Sequence, residues 1–123
     1  MIRAIKKLLE PKYLTENKII LPAKDNKGND LAYLQALLKR DLCNQFGGYT
    51  VTAGAGGWWK APEDKKDSPK IYQENVYIYH VSFVPTEENI NKLLTIAKTY
   101  GKICEQFCMY VVINNKARII PCK

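Results

Sequence analysis

The stretch FGGYTVTAGAGGWWK, Phe46 to Lys60, decides the fold. It opens like the end of a helix, with Gly47 or Gly48 suited to the left-handed turn that stops one. Tyr49, Val51 and Ala53 then alternate with Thr50 and Thr52, the pattern of a half-buried strand. Gly54, Gly56 and Gly57 follow that strand, where a dinucleotide fingerprint would stand and would announce a parallel α/β fold. What comes next argues against it: Trp58, Trp59 and a proline-bearing loop offer no helix N-terminus to receive a phosphate. No glycine precedes the Lys-Ser or Lys-Thr of a P-loop either. The glycines are therefore expected to bend or bulge a strand whose two tryptophans point to opposite faces.

Working outward, NKIILPAKD reads as an earlier strand ended by the turn-rich DNKGND. Leu31, Leu34, Leu37, Leu38 and Leu42 trace one face of a helix that Asn29 or Asp30 can cap. Downstream, KAPEDKKDSPK has two prolines, many charges and no apolar period, which predicts a solvated loop. IYQENVYIYHVSFV is rich in aromatic and β-branched residues and predicts a long strand. Thr86 caps a second helix, with Glu87 and Glu88 near its positive end. Ile90, Leu93, Leu94, Ala97 and Tyr100 form its apolar face, and Gly101 is read as its stop. MYVVINNKARII predicts a strand, an Asn114-Asn115 turn and a short returning strand.

The order β-α-β-β-α-β is the ferredoxin-like α+β arrangement, an antiparallel sheet with both helices on one face. A basic N-terminal helix, with Ile2, Ile5, Leu8 and Leu9 at helical spacing, precedes it, and the short strand follows it. The strand from Ile71 to Val84 carries apolar side chains on both faces: Tyr77, Tyr79, Val81 and Phe83 on one, Val76, Ile78 and Val84 on the other. Helices cover one face of such a sheet, so a homodimer contact is expected on the other.

At 123 residues the chain is read as a single domain, 1–123. Its 46% hydrophobic and 25% charged residues suit a water-soluble globule, and no apolar run reaches the ~20 residues of a membrane span. The N-terminus lacks the uninterrupted apolar core of a secretion signal, so a cytoplasmic protein is expected. Cys43, Cys104, Cys108 and Cys122 are then expected to stay reduced. The net charge of +7 gathers at the ends of the chain, where Lys6, Lys7 and Arg118 lie, and favours an anionic partner such as a nucleotide, a nucleic acid or an acidic protein.

Candidate sites are sparse. Trp58 and Trp59 with Lys60, Tyr72, Tyr77 and Tyr79 suggest a basic and aromatic surface, with one tryptophan as a stacking platform or interface anchor. His80, the only histidine, shares a strand face with Ser82, but no oxyanion hole accompanies the pair. Cys104 and Cys108 form one close pair where a structural zinc site needs two, so neither a metal nor a cofactor is expected. Glu74, Glu87, Glu88 and Glu105 are scattered and form no paired-carboxylate site.

Taken together, Phe46, Gly47, Gly48, Tyr49, Thr50, Gly54, Gly57, Trp58, Glu74 and Gln106 resemble a group of small bacterial, phage and plasmid proteins of unknown function. Their pattern is F-G-G-[FY]-T, a glycine, G-x-W, a Glu-bearing strand and a late Gln. The basic N-terminal helix, the doubled tryptophan and the four cysteines depart from it. The resemblance implies an accessory protein of a mobile element, blocking a host defence factor or sequestering its nucleotide signal.

The leading expectation is thus a non-enzymatic binding protein with Trp58, Trp59, Lys60, Tyr72, His80 and Arg118 at its contact surface, aided electrostatically by Lys6 and Lys7. A second is a dimeric α+β barrel enzyme, with a small substrate between sheet and helices and His80 or Tyr79 as proton donor. A third is direct nucleic-acid binding, with an affinity that falls steeply as salt rises.

Overall fold

The computed structural model describes residues 13–25, 27–60, 68, 70–104, 106 and 108–122, the side chains of 58–60 and 108 excepted. In chain order come strand β1 (Thr15–Pro22), helix α1 (Ala32–Phe46), strands β2 (Thr50–Lys60) and β3 (Lys70–Phe83), helix α2 (Glu87–Ile103), and strands β4 (Cys108–Ile113) and β5 (Lys116–Pro121). The strands form one sheet in the order β2-β3-β1-β4-β5, antiparallel throughout. This is the expected ferredoxin-like α+β order with β5 added at one edge. The expected N-terminal helix, with Lys6 and Lys7, lies outside the described residues.

Strand alternation sorts the side chains into two unequal faces. Ile19 and Leu21 of β1, Tyr79, Val81 and Phe83 of β3, and Met109, Val111 and Ile113 of β4 are buried. Leu34, Leu38 and Leu42 of α1 and Leu93, Ala97 and Tyr100 of α2 complete the same core. Each fully buried leucine contributes about 1.5–3 kcal/mol, which makes this layer the stable body of the molecule. On the other face Ile20, Val76, Ile78 and Val112 are only half-buried.

Polar groups inside the covered face are tied down. Asn17, fully buried, donates to the Val81 carbonyl at 3.2 Å and accepts from the Asn114 backbone N–H at 3.0 Å. It thereby fixes the turn between β4 and β5, where Asn114 and Asn115 adopt φ of 52° and 64°, values that asparagine tolerates better than most side chains. Gln35 donates to the Pro22 carbonyl at 3.0 Å and accepts from the Tyr79 hydroxyl.

Local signals are met with four corrections. Two are in α1, where the cap position falls to Leu31 with no side-chain cap hydrogen bond and Leu37 is exposed rather than on the buried face. Thr86 caps α2, accepting from the Asn89 N–H at 3.1 Å, and Gly47 ends α1 with φ of 87°. Gly101, however, does not end α2, which runs on to Ile103. It is there for close packing, because a Cβ would stand 2.4 Å from Cys122 Sγ and 2.5 Å from Met109 Cγ. The last correction concerns the glycines of β2. Thr50 to Lys60 pair one-to-one with His80 to Lys70, so the strand passes through Gly54, Gly56 and Gly57 without a bulge.

Candidate functional site

Past Pro22, which pairs with Val76, β1 leaves the sheet and exposes the flank of β3 at residues 72–75. Ala23 still donates to the Asn75 carbonyl at 3.0 Å, and the Gly28 N–H then donates to the Asp25 carbonyl at 3.1 Å in a turn that brings Asn29 back to Asp25. That turn is internally braced. Asp25 accepts from the backbone N–H groups of Lys27 at 2.9 Å and Asn29 at 2.8 Å, and from Asn29 Nδ2 at 3.0 Å. The Asn29 hydrogen bonds, side chain first, hold the Asp25 carboxyl below its ordinary range. Gly28, at φ of 83°, closes the turn.

Between this turn and β3 lies a corner cavity of about 370 Å³, lined by Ala23, Lys24, Asp25 and Gly28 on one side and Tyr72, Gln73, Glu74 and Asn75 on the other. Its size is that of a small-ligand site. Glu74 distinguishes it. Desolvation pushes the Glu74 pKa upward, and no hydrogen bond or ion pair among the described residues offsets that burial. A half-buried carboxylate left uncompensated is an electrostatic cost that a bound cation removes. Tyr72, two residues away on the same strand face, adds an aromatic ring beside it.

A second cleft, about 620 Å³ and shallower, opens at the far end of the same face. Phe46, Gly47, Gly48, Tyr49 and Thr50 line it together with Glu16, Thr52, His80 and Ser82. Here the titratable group is matched: His80 Nδ1 stands 3.5 Å from Glu16 Oε1, and its Nε2 is 3.2 Å from Thr52 Oγ1.

The remaining expectations fall as follows. Tyr72 lines the corner cavity and His80 the far cleft. The backbones of Trp58, Trp59 and Lys60 end β2 opposite Tyr72, Ile71 and Lys70, while their side chains lie outside the described part. Arg118 is not brought together with them: β5 and β2 are opposite edges of the sheet, and Arg118 pairs with Val111, so it shares the helix-covered side. His80 does not sit between sheet and helices, as the barrel-type enzyme required, but on the open face. Tyr79 does lie under the helices, where burial first, then Tyr49 and Tyr77, push its hydroxyl up to about 12. With that hydroxyl donated to Gln35, it is a poor proton donor at neutral pH. Among the described residues no group of three or more His, Cys, Asp or Glu side chains could hold a metal. No helix of the described part is long and apolar enough to cross a membrane.

Lys24 was not singled out in the sequence, and Glu74 stood there only as one scattered acid and as the Glu of the mobile-element pattern, with no site role assigned. A further signal was Gly56, which pairs with Glu74 and so leaves the carboxylate without a cross-strand side chain on β2.

No family pattern and no curated protein matches the sequence. The architecture does find matches. The chain is built like a phage SAM lyase. The solved structure of that enzyme in complex with S-methyl-5'-thioadenosine superposes with a TM-score of 0.67 at 11% identity, covering 92% of this chain and 95% of the other. Its apo state gives 0.65 at 12% identity, over 91% and 94%. Likeness at this identity establishes the fold. It also overturns the expectation of a non-enzymatic binding protein in favour of the alternative of an enzyme, because a protein that shares this architecture over 92% of the chain is one.

Proposed function

We propose that this chain is a lyase of S-adenosylmethionine, releasing S-methyl-5'-thioadenosine, with the corner cavity around Glu74 as its site. The observation that carries the reading is the half-buried Glu74 carboxylate, unpaired among the described residues and lining a nucleoside-sized cavity, in a chain with the architecture of a SAM lyase. The substrate is a sulfonium cation, and a carboxylate beside an aromatic ring is the complement that such a cation requires. Gln73 and Asn75, in the same cavity, supply amide groups able to pair with the edge of an adenine or with ribose hydroxyls.

A lyase adds no water, so the carbon released from sulfur must be satisfied by an atom already in the substrate. The substrate's own carboxylate can close on its γ-carbon in a five-membered ring. The carbon–oxygen bond forms as the carbon–sulfur bond breaks, and the electron pair leaves on sulfur as a neutral thioether. The alternative, removal of a β-proton, needs a strong base, since that proton is not activated by a neighbouring carbonyl. Ring closure consumes one positive and one negative charge and needs no acid or base from the protein. A cavity drier than water therefore favours the transition state over the doubly charged ground state. Glu74 stabilises the sulfonium more before the bond breaks than after, so its contribution falls chiefly on binding.

The substrate places the work inside the cell, and the mobile-element pattern at Phe46 to Thr50 and Glu74 accords with a phage- or plasmid-borne chain. We further infer that the open sheet face, with Ile20, Ile78 and Val112 half-exposed, packs against a second copy. Sedimentation as a monomer at high micromolar concentration would count against that contact.

The activity is tested by incubating the purified chain with S-adenosylmethionine and resolving the products by chromatography. The expected products are S-methyl-5'-thioadenosine and the lactone of homoserine in equal amounts. Substrate recovered intact, from protein shown to be folded, contradicts the reading.

A further inference from the structure

The corner cavity contains one cation besides its carboxylate. Lys24 lines it together with Glu74, and lines as well a second cavity of about 390 Å³, with Asp30, Gln35, Lys39 and Tyr77. Its backbone is pinned from several directions. Lys24 bridges to Asp30, Ala23 donates to Asn75, and Leu31 donates to the Ala23 carbonyl at 3.1 Å. Its ammonium, by contrast, makes no ion pair among the described residues. The two nearest acids in the chain are already engaged: Asp25 holds its own turn, and Asp30 accepts from the Ala32 N–H at 2.6 Å. A lysine on a fixed backbone, lining the same nucleoside-sized cavity as a carboxylate uncompensated among the described residues, presents one site for a cation and one for an anion.

S-adenosylmethionine has both charges, whereas S-methyl-5'-thioadenosine has lost its amino-acid arm and with it the carboxylate. We propose that Lys24 binds the carboxylate of that arm and makes the site selective for the intact amino-acid substrate over its decarboxylated analogue. The inference rests on the lyase reading and assigns the polarity of its cavity: sulfonium toward Glu74, carboxylate toward Lys24. The residue type is chemically apt. An ammonium is a point charge that can hold one carboxylate oxygen and leave the other free to close on the γ-carbon. A guanidinium would clasp both oxygens in a bidentate pair and hold back the nucleophile.

Two non-cleavable probes separate this inference from the reading beneath it. S-methyl-5'-thioadenosine has no carboxylate, and S-adenosylhomocysteine adds the amino-acid arm without the sulfonium. Calorimetric titration of the full chain should show both binding, the second more tightly. In Lys24→Met, affinity for S-adenosylhomocysteine should fall about tenfold, while that for S-methyl-5'-thioadenosine is unchanged. Lys24→Arg should keep that binding but lower kcat for cleavage of S-adenosylmethionine, with KM little altered. Decarboxylated S-adenosylmethionine should bind wild type and Lys24→Met alike. If Lys24→Met weakens both probes equally, or neither, Lys24 is not the carboxylate anchor although the lyase reading stands. If wild type binds neither probe, the reading itself falls and Lys24 with it. Because Lys24 is exposed, the substitution does not endanger the fold.

Discussion

The two ends of one sheet face make a useful pair. At the far end, His80 is flanked by Glu16 and by Thr52, so its ring nitrogens each have a neighbour of suitable chemistry. At the corner, Glu74 is buried to a similar degree but has no such neighbours, and its carboxyl is pushed upward by desolvation alone. A satisfied cluster explains itself as part of the structure. One left unsatisfied among the described residues does not explain itself that way, and in a cavity the economical candidate for its partner is a ligand. The more chemically suggestive group by type, a histidine beside a carboxylate and a hydroxyl, is thus the weaker candidate once its surroundings are known.

The comparison can be broken most directly by substitution at the corner. Glu74→Gln should lower kcat/KM for S-adenosylmethionine by about ten- to a hundredfold, each factor of ten being about 1.4 kcal/mol, with most of the loss in KM. A loss confined to kcat would instead put Glu74 in the bond-breaking step. The next effect belongs to the covered face. Tyr79→Phe removes the hydroxyl that Gln35 accepts and should cost about 1–2 kcal/mol in urea unfolding, with an unchanged denaturant slope. It should leave affinity for S-methyl-5'-thioadenosine intact.

Smaller effects sharpen the contrast. His80→Ala should change kcat/KM by less than about twofold, and a collapse of activity would move the site to the far cleft. The last effect is on stability without ligand. Burial raises the Glu74 pKa above its unfolded value, so folding favours the protonated form. What that carboxyl contributes to stability is present at low pH and lost as pH rises through its folded pKa. At neutral pH Glu74→Gln should therefore raise Tm by about 1–3 °C, and the two curves should converge below about pH 4. A lower Tm for the variant at neutral pH would mean that the carboxylate already has a partner.

The fold was legible because its signals are local. Helix caps at Gly47 and Thr86, alternation in β1 and β3 and the Asn114-Asn115 turn each act within a few residues, and their order leaves one antiparallel arrangement. The glycines of β2 were legible only in part. Their place in a strand followed from Thr50 to Ala53, but an unbulged register depends on β3 and is not written in β2 itself. Gly101 misled for the same reason, since Cys122 and Met109, which demand its missing side chain, are remote in sequence. The site was the least legible element. Glu74 becomes unusual through the departure of β1 at Pro22 and the turn of residues 23–30 folding beside it, events some fifty residues away in the chain. Arg118, by contrast, stands across the sheet from the surface it was expected to join.

The decisive measurement is a crystal structure of the protein with S-methyl-5'-thioadenosine bound. The expected result is the nucleoside in the corner cavity, its thioether against the Glu74 carboxylate and its open end directed toward Lys24. Ligand seated instead in the cleft of Gly47, Thr52 and His80, with the corner filled only by solvent, would contradict the assignment of Glu74.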